Sequence, residues 1–520
     1  MTTSISNASA GSRSHADAAP SAELLAPPPA PPPPYAPSAE SAAPRTIWSR
    51  FIILLLCLAV VTTTLAFGTV HAWSLAAFQL SAGVVVALWM IDAWRTRSLR
   101  FSKSFLQVPL LGLALLGLVQ LLPLGAGGAE NIGAAGLSVE PARALSFDPY
   151  ATRLVLIQLC ALFVYFAAAL AFIDSPRRLR LVVRTVIIFG FVLALFGLMQ
   201  HFLNPYVIYW VREPKQAQPF GPYINRHHFA GYMELALAMP LGLLFSGAID
   251  RDRIPLYAFA ALLCSVALVM TNSRGGIIAM VAEILFLVVI AAGVGRRAAG
   301  EGAQDLKSRV GAAAKRVAFA FALLATLFVF ALYSGGEESL TRLFGTINAD
   351  DPTTGRAHFW KGAVEMIKEH PLLGTGLGAF SAVYTRHDTG SGMYRLEQAH
   401  NDYLQILTDG GVVGALLALA FVVVLFRQGF RRLQSRDKFR RGVALGALTG
   451  CAGALVHSAF DFTLHTTANA LLFLLLAALA TMNGRVEEAA PPRRKRVRRR
   501  REGLIQQPPL PRAQGTYDPL

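Results

Sequence analysis

The stretch Ala399-His-Asn-Asp-Tyr-Leu-Gln-Ile-Leu-Thr408 passes, after one further Asp, into residues 410–426, Gly-Gly-Val-Val-Gly-Ala-Leu-Leu-Ala-Leu-Ala-Phe-Val-Val-Val-Leu-Phe. The first part is polar and carries helix-capping residues; the second holds no charge at all. A run of that kind reads as a membrane span, which needs about 20 mostly apolar residues. Similar runs recur at 46–67, 70–94, 105–124, 151–173, 185–203, 228–249, 254–271, 276–294, 317–333, 442–458 and 468–483. The expected fold is therefore all-α and polytopic, with about 12 transmembrane helices. A chain that is 54% hydrophobic and only 15% charged excludes a large soluble enzyme.

A formal net charge of +17 would by itself suit a nucleic-acid partner, but its distribution points elsewhere. With a cytoplasmic N-terminus and alternating loops, one side collects Arg95, Arg97, Arg100, Lys103, Arg177, Arg178, Arg180, Arg184, Arg251 and Arg253. It also collects the basic residues from Arg296 to Arg316 and from Arg427 to Arg441, and the tail Arg493–Arg501. This is the positive-inside pattern, with both termini cytoplasmic. No aromatic or fold motif accompanies the tail, so it reads as a topology anchor against anionic headgroups, with no nucleic-acid role.

The expected domain order follows from these shifts in composition. Residues 1–44, rich in Ala, Ser and Pro, form a disordered tail and not a signal peptide. Residues 45–333 form the first nine spans, 334–408 a long periplasmic loop, 409–483 the closing spans and 484–520 a basic tail. Cys57, Cys160, Cys264 and Cys451 all fall within expected spans, so no disulfide framework is implied.

Polar chemistry gathers on the other side, in 125–150, 204–227, Thr271–Gly276, 334–408 and His457–Thr467. Long loops in compact proteins are usually functional or disordered, and the aromatic content of 334–408 argues for order. Arg274, in Asn272-Ser-Arg-Gly-Gly276, has two readings. It either snorkels to headgroups beside a Gly275 helix C-cap, or presents its guanidinium fork to a phosphate. Arg356 opens an amphipathic helix running through Trp360, where a cation opposes the macrodipole unless an anion binds. Asp350 and Asp351 before it form a turn and cap more readily than a metal pair. Gly374-Thr-Gly-Leu-Gly378 follows no strand, so it reads as backbone that approaches a substrate or helix closely and not as a dinucleotide loop.

His400 is the side chain suited to proton transfer near neutrality, while Asn401 and Asp402 can cap the helix behind it. Asn225, Arg226, His227 and His228 form a polar rim at a span entrance, and adjacent histidines without a third ligand do not make a zinc site. His457, Asp461 and His465 recur every four residues, as either a structural Asp–His pairing or a functional group at membrane depth.

Taken in order, these residues resemble the O-antigen ligase and O-antigen polymerase superfamily. The motifs are Asn225-Arg-His-His-Phe-Ala-Gly-Tyr232, Asn272-Ser-Arg-Gly-Gly276, Gly355-Arg356 through Trp360, Pro371-Leu-Leu-Gly-Thr-Gly-Leu-Gly-Ala-Phe380, Ala399-His-Asn-Asp-Tyr-Leu404 and Asp461-Phe-Thr-Leu-His465. The resemblance implies a GT-C-like membrane glycosyltransferase of the bacterial inner membrane, with a helical periplasmic loop over a lateral cleft and neither metal nor other cofactor. It implies His400 as catalytic base and Arg274 and Arg356 as pyrophosphate ligands. Asn225, Arg226, His228, Asn401 and Asp461 are further candidates for substrate contact, and His227, which departs from the family pattern, has no assigned role.

The implied donor is a glycan on undecaprenyl pyrophosphate. The implied acceptor is a growing glycan (a repeat-unit polymerase, the favoured reading) or lipid A–core (a ligase). Membrane lipids, a chain-length regulator and a flippase are the implied partners. A transporter or lipid flippase is the reading from another class; crowding of polar residues on one membrane face argues against it.

Overall fold

The computed structural model describes residues 46–124, 144–215, 217–297, 356–389 and 395–482, with positions 311 and 318. The two expected tails, the expected span 317–333, the Asp350–Asp351 turn, residues 334–355 of the long loop and most of 125–150 lie outside the described residues.

Thirteen α-helices are described. They are α1 (Ile47–Leu65), α2 (Ala72–Thr96), α3 (Gln107–Gln120), α4 (Pro149–Phe172), α5 (Pro176–Leu203), α6 (Arg226–Ser246) and α7 (Ile254–Met270). After them come α8 (Arg274–Arg297), α9 (Arg356–Glu369), α10 (Phe380–Tyr384), α11 (Asp402–Arg432), α12 (Lys438–His457) and α13 (Thr467–Thr481). Single 3-10 turns occupy Phe67–Thr69, Arg251–Arg253 and Thr463–His465. The described residues contain no strand, so the all-α expectation holds.

Eight helices are long and apolar enough to cross a membrane: α1, α2, α4, α5, α6, α7 with its preceding 3-10 turn, α8 and α11. The sequence pattern predicts about twelve; one of these, 317–333, lies outside the described residues, and for three others the difference has a physical cause. Helices α3 and α13 are apolar but short, at 14 and 15 residues, and α12 opens on Lys438, Arg440 and Arg441. A helix enclosed by protein needs neither full bilayer length nor an apolar surface, provided its backbone ends find partners. Every residue of α13 is buried, and buried Arg440 supplies those partners. Its guanidinium donates to the carbonyls of Leu479, Ala480 and Met482 at 3.0, 3.4 and 2.7 Å.

Helices α6, α12 and α13 form the centre, with α6 buried almost throughout. Association of spans relies on close packing and not on expulsion of water, which favours small residues at the crossing. Gly442, Gly446 and Gly450 line one face of α12 at four-residue spacing. A Cβ built at Gly242 of α6 would lie 2.2 Å from the Gly446 nitrogen, and one at Gly446 would lie 2.6 Å from the Ala238 carbonyl oxygen. Both obstacles are backbone, so nothing there can turn aside.

At the end opposite the polar loops, basic residues that the charge pattern reads as topology signals are tied into the fold. Arg100 bridges Asp92 and Asp174, each at 3.0 Å, while Arg178 reaches Asp174 at 3.2 Å and the Ser49 hydroxyl at 2.6 Å. Thr46 donates to the other Asp92 oxygen. One network thus joins the ends of α1, α2, α4 and α5.

Replacing Gly446 by Ala should lower the thermal unfolding temperature in detergent, because overpacking costs about 1–3 kcal/mol and exceeds Ala's helix-propensity gain. Gly83→Ala in α2 meets nothing within 4 Å and should be neutral or stabilising by up to about 1 kcal/mol.

Candidate active site at the Asp461 turn

The site grows from the irregular turn between α12 and α13. Here Phe460 N and Asp461 N donate to the His457 carbonyl at 2.8 and 3.1 Å, which folds the chain back at the end of α12. The Asp461 side chain is 2% exposed, and it gathers three elements around one carboxylate. Oδ1 accepts from Phe462 N at 2.9 Å and lies 3.2 Å from His400 Nδ1. Oδ2 accepts from Arg356 Nη2 at 3.3 Å and lies 4.0 Å from His227 Nδ1. Arg356 also donates to the Phe460 carbonyl.

Burial by itself would raise the Asp461 carboxyl pKa. The His400 hydrogen bond and the imidazoles of His227 and His228 outweigh it and hold the group below the usual carboxylate range.

His400 stands just ahead of α11, whose N-cap is Asn401: the Asn401 Oδ1 accepts from Tyr403 N and Leu404 N at 3.0 and 3.1 Å. Its amide donates to the Ala459 carbonyl at 3.0 Å, tying the cap to the turn. The His400 backbone has φ +51°, a left-handed conformation that costs a non-glycine residue of order 1 kcal/mol and persists where surroundings over-determine it. Its ring packs edge-on against Phe462, with centroids 4.8 Å apart, and His228 packs against Phe462 in the same way at 4.8 Å. With Nδ1 engaged by Asp461, the second ring nitrogen has no partner among the described residues; the side chain is 26% exposed.

The loop ahead of His400 is held by α11 itself. That helix runs 31 residues through a kink at Gly411, where φ is +60° and ψ −161°. A Cβ at Gly411 would meet the Leu372 carbonyl oxygen at 2.3 Å, and one at Gly374 would meet Asp409 backbone at 2.5 Å. The glycines of 374–378 therefore allow close approach to a helix, one of the two roles the sequence leaves open. Gly378 N donates to Asp409 Oδ2 at 2.9 Å, and Gln120 Nε2 donates to the Leu373 and Asp409 carbonyls. Helices α9 and α10 add a small core of Ala363, Met366, Phe380, Val383 and Tyr384. Trp360 of α9 donates to the Ala399 carbonyl at 3.1 Å.

Arg274 opens α8 and does not end α7. Ser273 caps α8, accepting from Gly276 N at 3.3 Å, so Gly275 is not a C-cap. A Cβ at Gly275 would lie 2.9 Å from His457 and 3.0 Å from Phe460, which brings the start of α8 against the Asp461 turn. Arg274 is half-buried and has no hydrogen bond or ion pair among the described residues. Two arginines thus open helices beside one turn. Arg356 is held by Asp461, and Arg274 leaves its cationic fork without a carboxylate among the described residues.

The remaining candidates divide. Asn225 caps α6 by accepting from His227 N at 2.9 Å, a local structural task. Arg226 N donates to the Gln218 carbonyl at 2.9 Å, and its side chain is half-buried. His228 is buried behind Phe462, and its carbonyl accepts from Asn469 at 2.9 Å. His227 gains a position: its Nδ1 lies 2.9 Å from Ser273 Oγ, linking α6 to the cap of α8.

The four-residue spacing of His457, Asp461 and His465 does not produce one cluster. Asp461 meets His400, His465 meets Asp402 at 2.7 Å, and His457 meets Glu234 at 2.7 Å in the buried interior. Glu234, Glu283, Ser273, Ser458 and Phe462 are not marked as candidates by the sequence. An acidic residue inside an apolar helix is the signal available for Glu234 and Glu283; the other three carry none.

Asp461→Asn should lower stability by about 3 kcal/mol at neutral pH, the usual cost of removing one partner from a buried ionic cluster. A group with depressed folded-state pKa stabilises above its unfolded value near 4 and loses that contribution as pH falls through the folded value. The gap in unfolding temperature between wild type and Asp461→Asn should accordingly narrow on acidification below about pH 4.

Residues 259–419 match the O-antigen ligase family, a span that contains Arg274, Arg356 and His400. The chain is 24% identical over 277 residues to an O-antigen ligase of Pseudomonas aeruginosa, covering 52% of this chain and 57% of that protein. It is 26% identical over 113 residues to the exopolysaccharide production protein ExoQ of Rhizobium meliloti, covering 21% of this chain and 25% of that protein. The matched stretches thus span about a quarter and somewhat over half of these relatives' own lengths. An all-helical scaffold with membrane-length helices, the family match over 259–419 and these two relatives together make the chain similar to the O-antigen ligase and polymerase superfamily.

Proposed function

We propose that the chain is an inverting glycosyltransferase of the bacterial inner membrane that moves a glycan from undecaprenyl pyrophosphate to an acceptor glycan. The observation that carries this reading is the convergence of His400 and Arg356 on Asp461, with Arg274 opening α8 beside the same turn. In the reaction the acceptor hydroxyl oxygen bonds to the anomeric carbon as the bond from that carbon to the pyrophosphate oxygen breaks. The hydroxyl proton passes to the free nitrogen of His400, and undecaprenyl pyrophosphate departs with the electron pair.

Asp461 orients the imidazole through Nδ1 and stabilises the imidazolium that forms, as a carboxylate behind a histidine base does. Arg274, its fork unclaimed by a protein carboxylate among the described residues, binds the pyrophosphate and offsets the charge that grows on it. Arg356 serves the same anion from the other side while anchored to the turn. The positive-inside pattern supports a periplasmic position for this end of the helices.

The acceptor on this reading is a second lipid-linked glycan, making the chain a repeat-unit polymerase that works alongside a flippase and a chain-length regulator. A ligase transferring finished polymer to lipid A–core is the second reading, favoured by the longer of the two alignments.

A deletion strain complemented with wild type or with His400→Ala tests both at once. Loss of a general base typically slows transfer by about 10²–10⁴. Accumulation of single lipid-linked repeats identifies a polymerase, and long lipid-linked chains absent from lipid A identify a ligase. Unchanged glycans with His400→Ala would overturn the assignment of the base. Arg274→Lys keeps the charge but loses the fork; it should raise the KM for lipid-linked donor about tenfold or more, measured with purified donor in detergent.

A further inference from the structure

Two histidine–carboxylate pairs bind the segment around His400 to the turn that carries Asp461, and the proposed reaction uses only one of them. The second is His465 with Asp402. His465 Nδ1 lies 2.7 Å from Asp402 Oδ1, and the Ser458 hydroxyl donates to Asp402 Oδ2 at 2.8 Å. Asp402 N donates to the Ser458 carbonyl, also at 2.8 Å. Both carboxylate oxygens and the backbone amide of one residue are thereby fixed to the 458–465 turn.

Asp402 stands two residues beyond His400, on the rigid first turn of α11; His465 and Ser458 flank Asp461 by four and three residues. The clamp therefore joins the two backbones whose separation sets the His400–Asp461 contact. That contact needs such support. His400 holds a left-handed backbone conformation, which relaxes unless its neighbours prevent it. The Asn401 amide gives one tie to the turn through Ala459, and Asp402 gives three.

We propose that His465 is a positioning residue for the base: through Asp402 it holds His400 against Asp461, and it takes no proton from the acceptor itself. The proposal rests on the reading of His400 as base. A displacement of about 1 Å at a catalytic group costs up to roughly 10²-fold in rate, so a loosened clamp shows in kcat while donor and acceptor binding persist.

A double-mutant cycle on the purified full chain tests it, with kcat and KM measured for lipid-linked donor in wild-type and His400→Ala backgrounds. In the wild-type background His465→Ala should lower kcat about tenfold or more with KM within about twofold, and His465→Asn, whose amide nitrogen stands where Nδ1 donates to Asp402, should recover most of the loss. In the His400→Ala background His465→Ala should add little, because a residue acting through His400 has nothing left to position. Equal losses in both backgrounds would overturn the proposal, since His465 would then act independently of the base. Undiminished kcat for His465→Ala, or a loss confined to KM, would overturn it too. Should His465→Ala fail to accumulate, Asp402→Asn takes its place under the same criteria. If His400→Ala alone keeps full activity, the reading of the base fails first, and the cycle reports that separately.

Discussion

One buried carboxylate organises the polar end of this helical scaffold. Asp461 sits where α12 ends and α13 has not begun, and its oxygens meet His400 from the start of α11 and Arg356 from the start of α9, with His227 of α6 within 4.0 Å. A charge so enclosed is tolerable only when opposite charge and donors surround it. That requirement forces helices far apart in sequence to end at one place. The His400 backbone strain, the Asn401 cap and the close approach of Gly275 to the turn are accommodations to that convergence.

The scaffold allows this geometry because its inner helices are freed from contact with lipid. Helices α6, α12 and α13 pack through glycines and alanines, and Arg440 closes the far end of α13. Helices held this tightly carry polar groups that a lipid-facing span would not tolerate, Glu234 with His457 among them. The kink of α11 at Gly411 follows the same logic: the backbone of 371–374 docks into it and steadies the loop ahead of His400.

The division of labour between the two arginines is a consequence of the carboxylate and not of their shared place at helix starts. Both begin a helix, where a cation opposes the macrodipole. Arg356 resolves that conflict internally, through Asp461 and the Phe460 carbonyl. Arg274 has no such partner among the described residues. In the proposed function the first is as much a structural tie as a ligand for the pyrophosphate.

The sequence by itself determined the helical membrane class, because uninterrupted apolar runs have no other stable use, and it marked His400, Arg274 and Arg356, because ionisable groups between apolar runs are costly to keep. Capping was also legible at Asn401, which stands where a side-chain oxygen meets free backbone amides and does so, whereas the cap at Asn225 was not read from the sequence. Which apolar runs are full-length spans was not legible, since hydropathy cannot tell a helix enclosed by protein from one facing lipid. Nor was the partnering of the last turn. The spacing of His457, Asp461 and His465 left open a pairing among themselves or a functional group, yet each side chain finds its partner elsewhere, up to 223 residues away. Local spacing fixes which residues share a helix face; only tertiary packing decides which charge lies across from it.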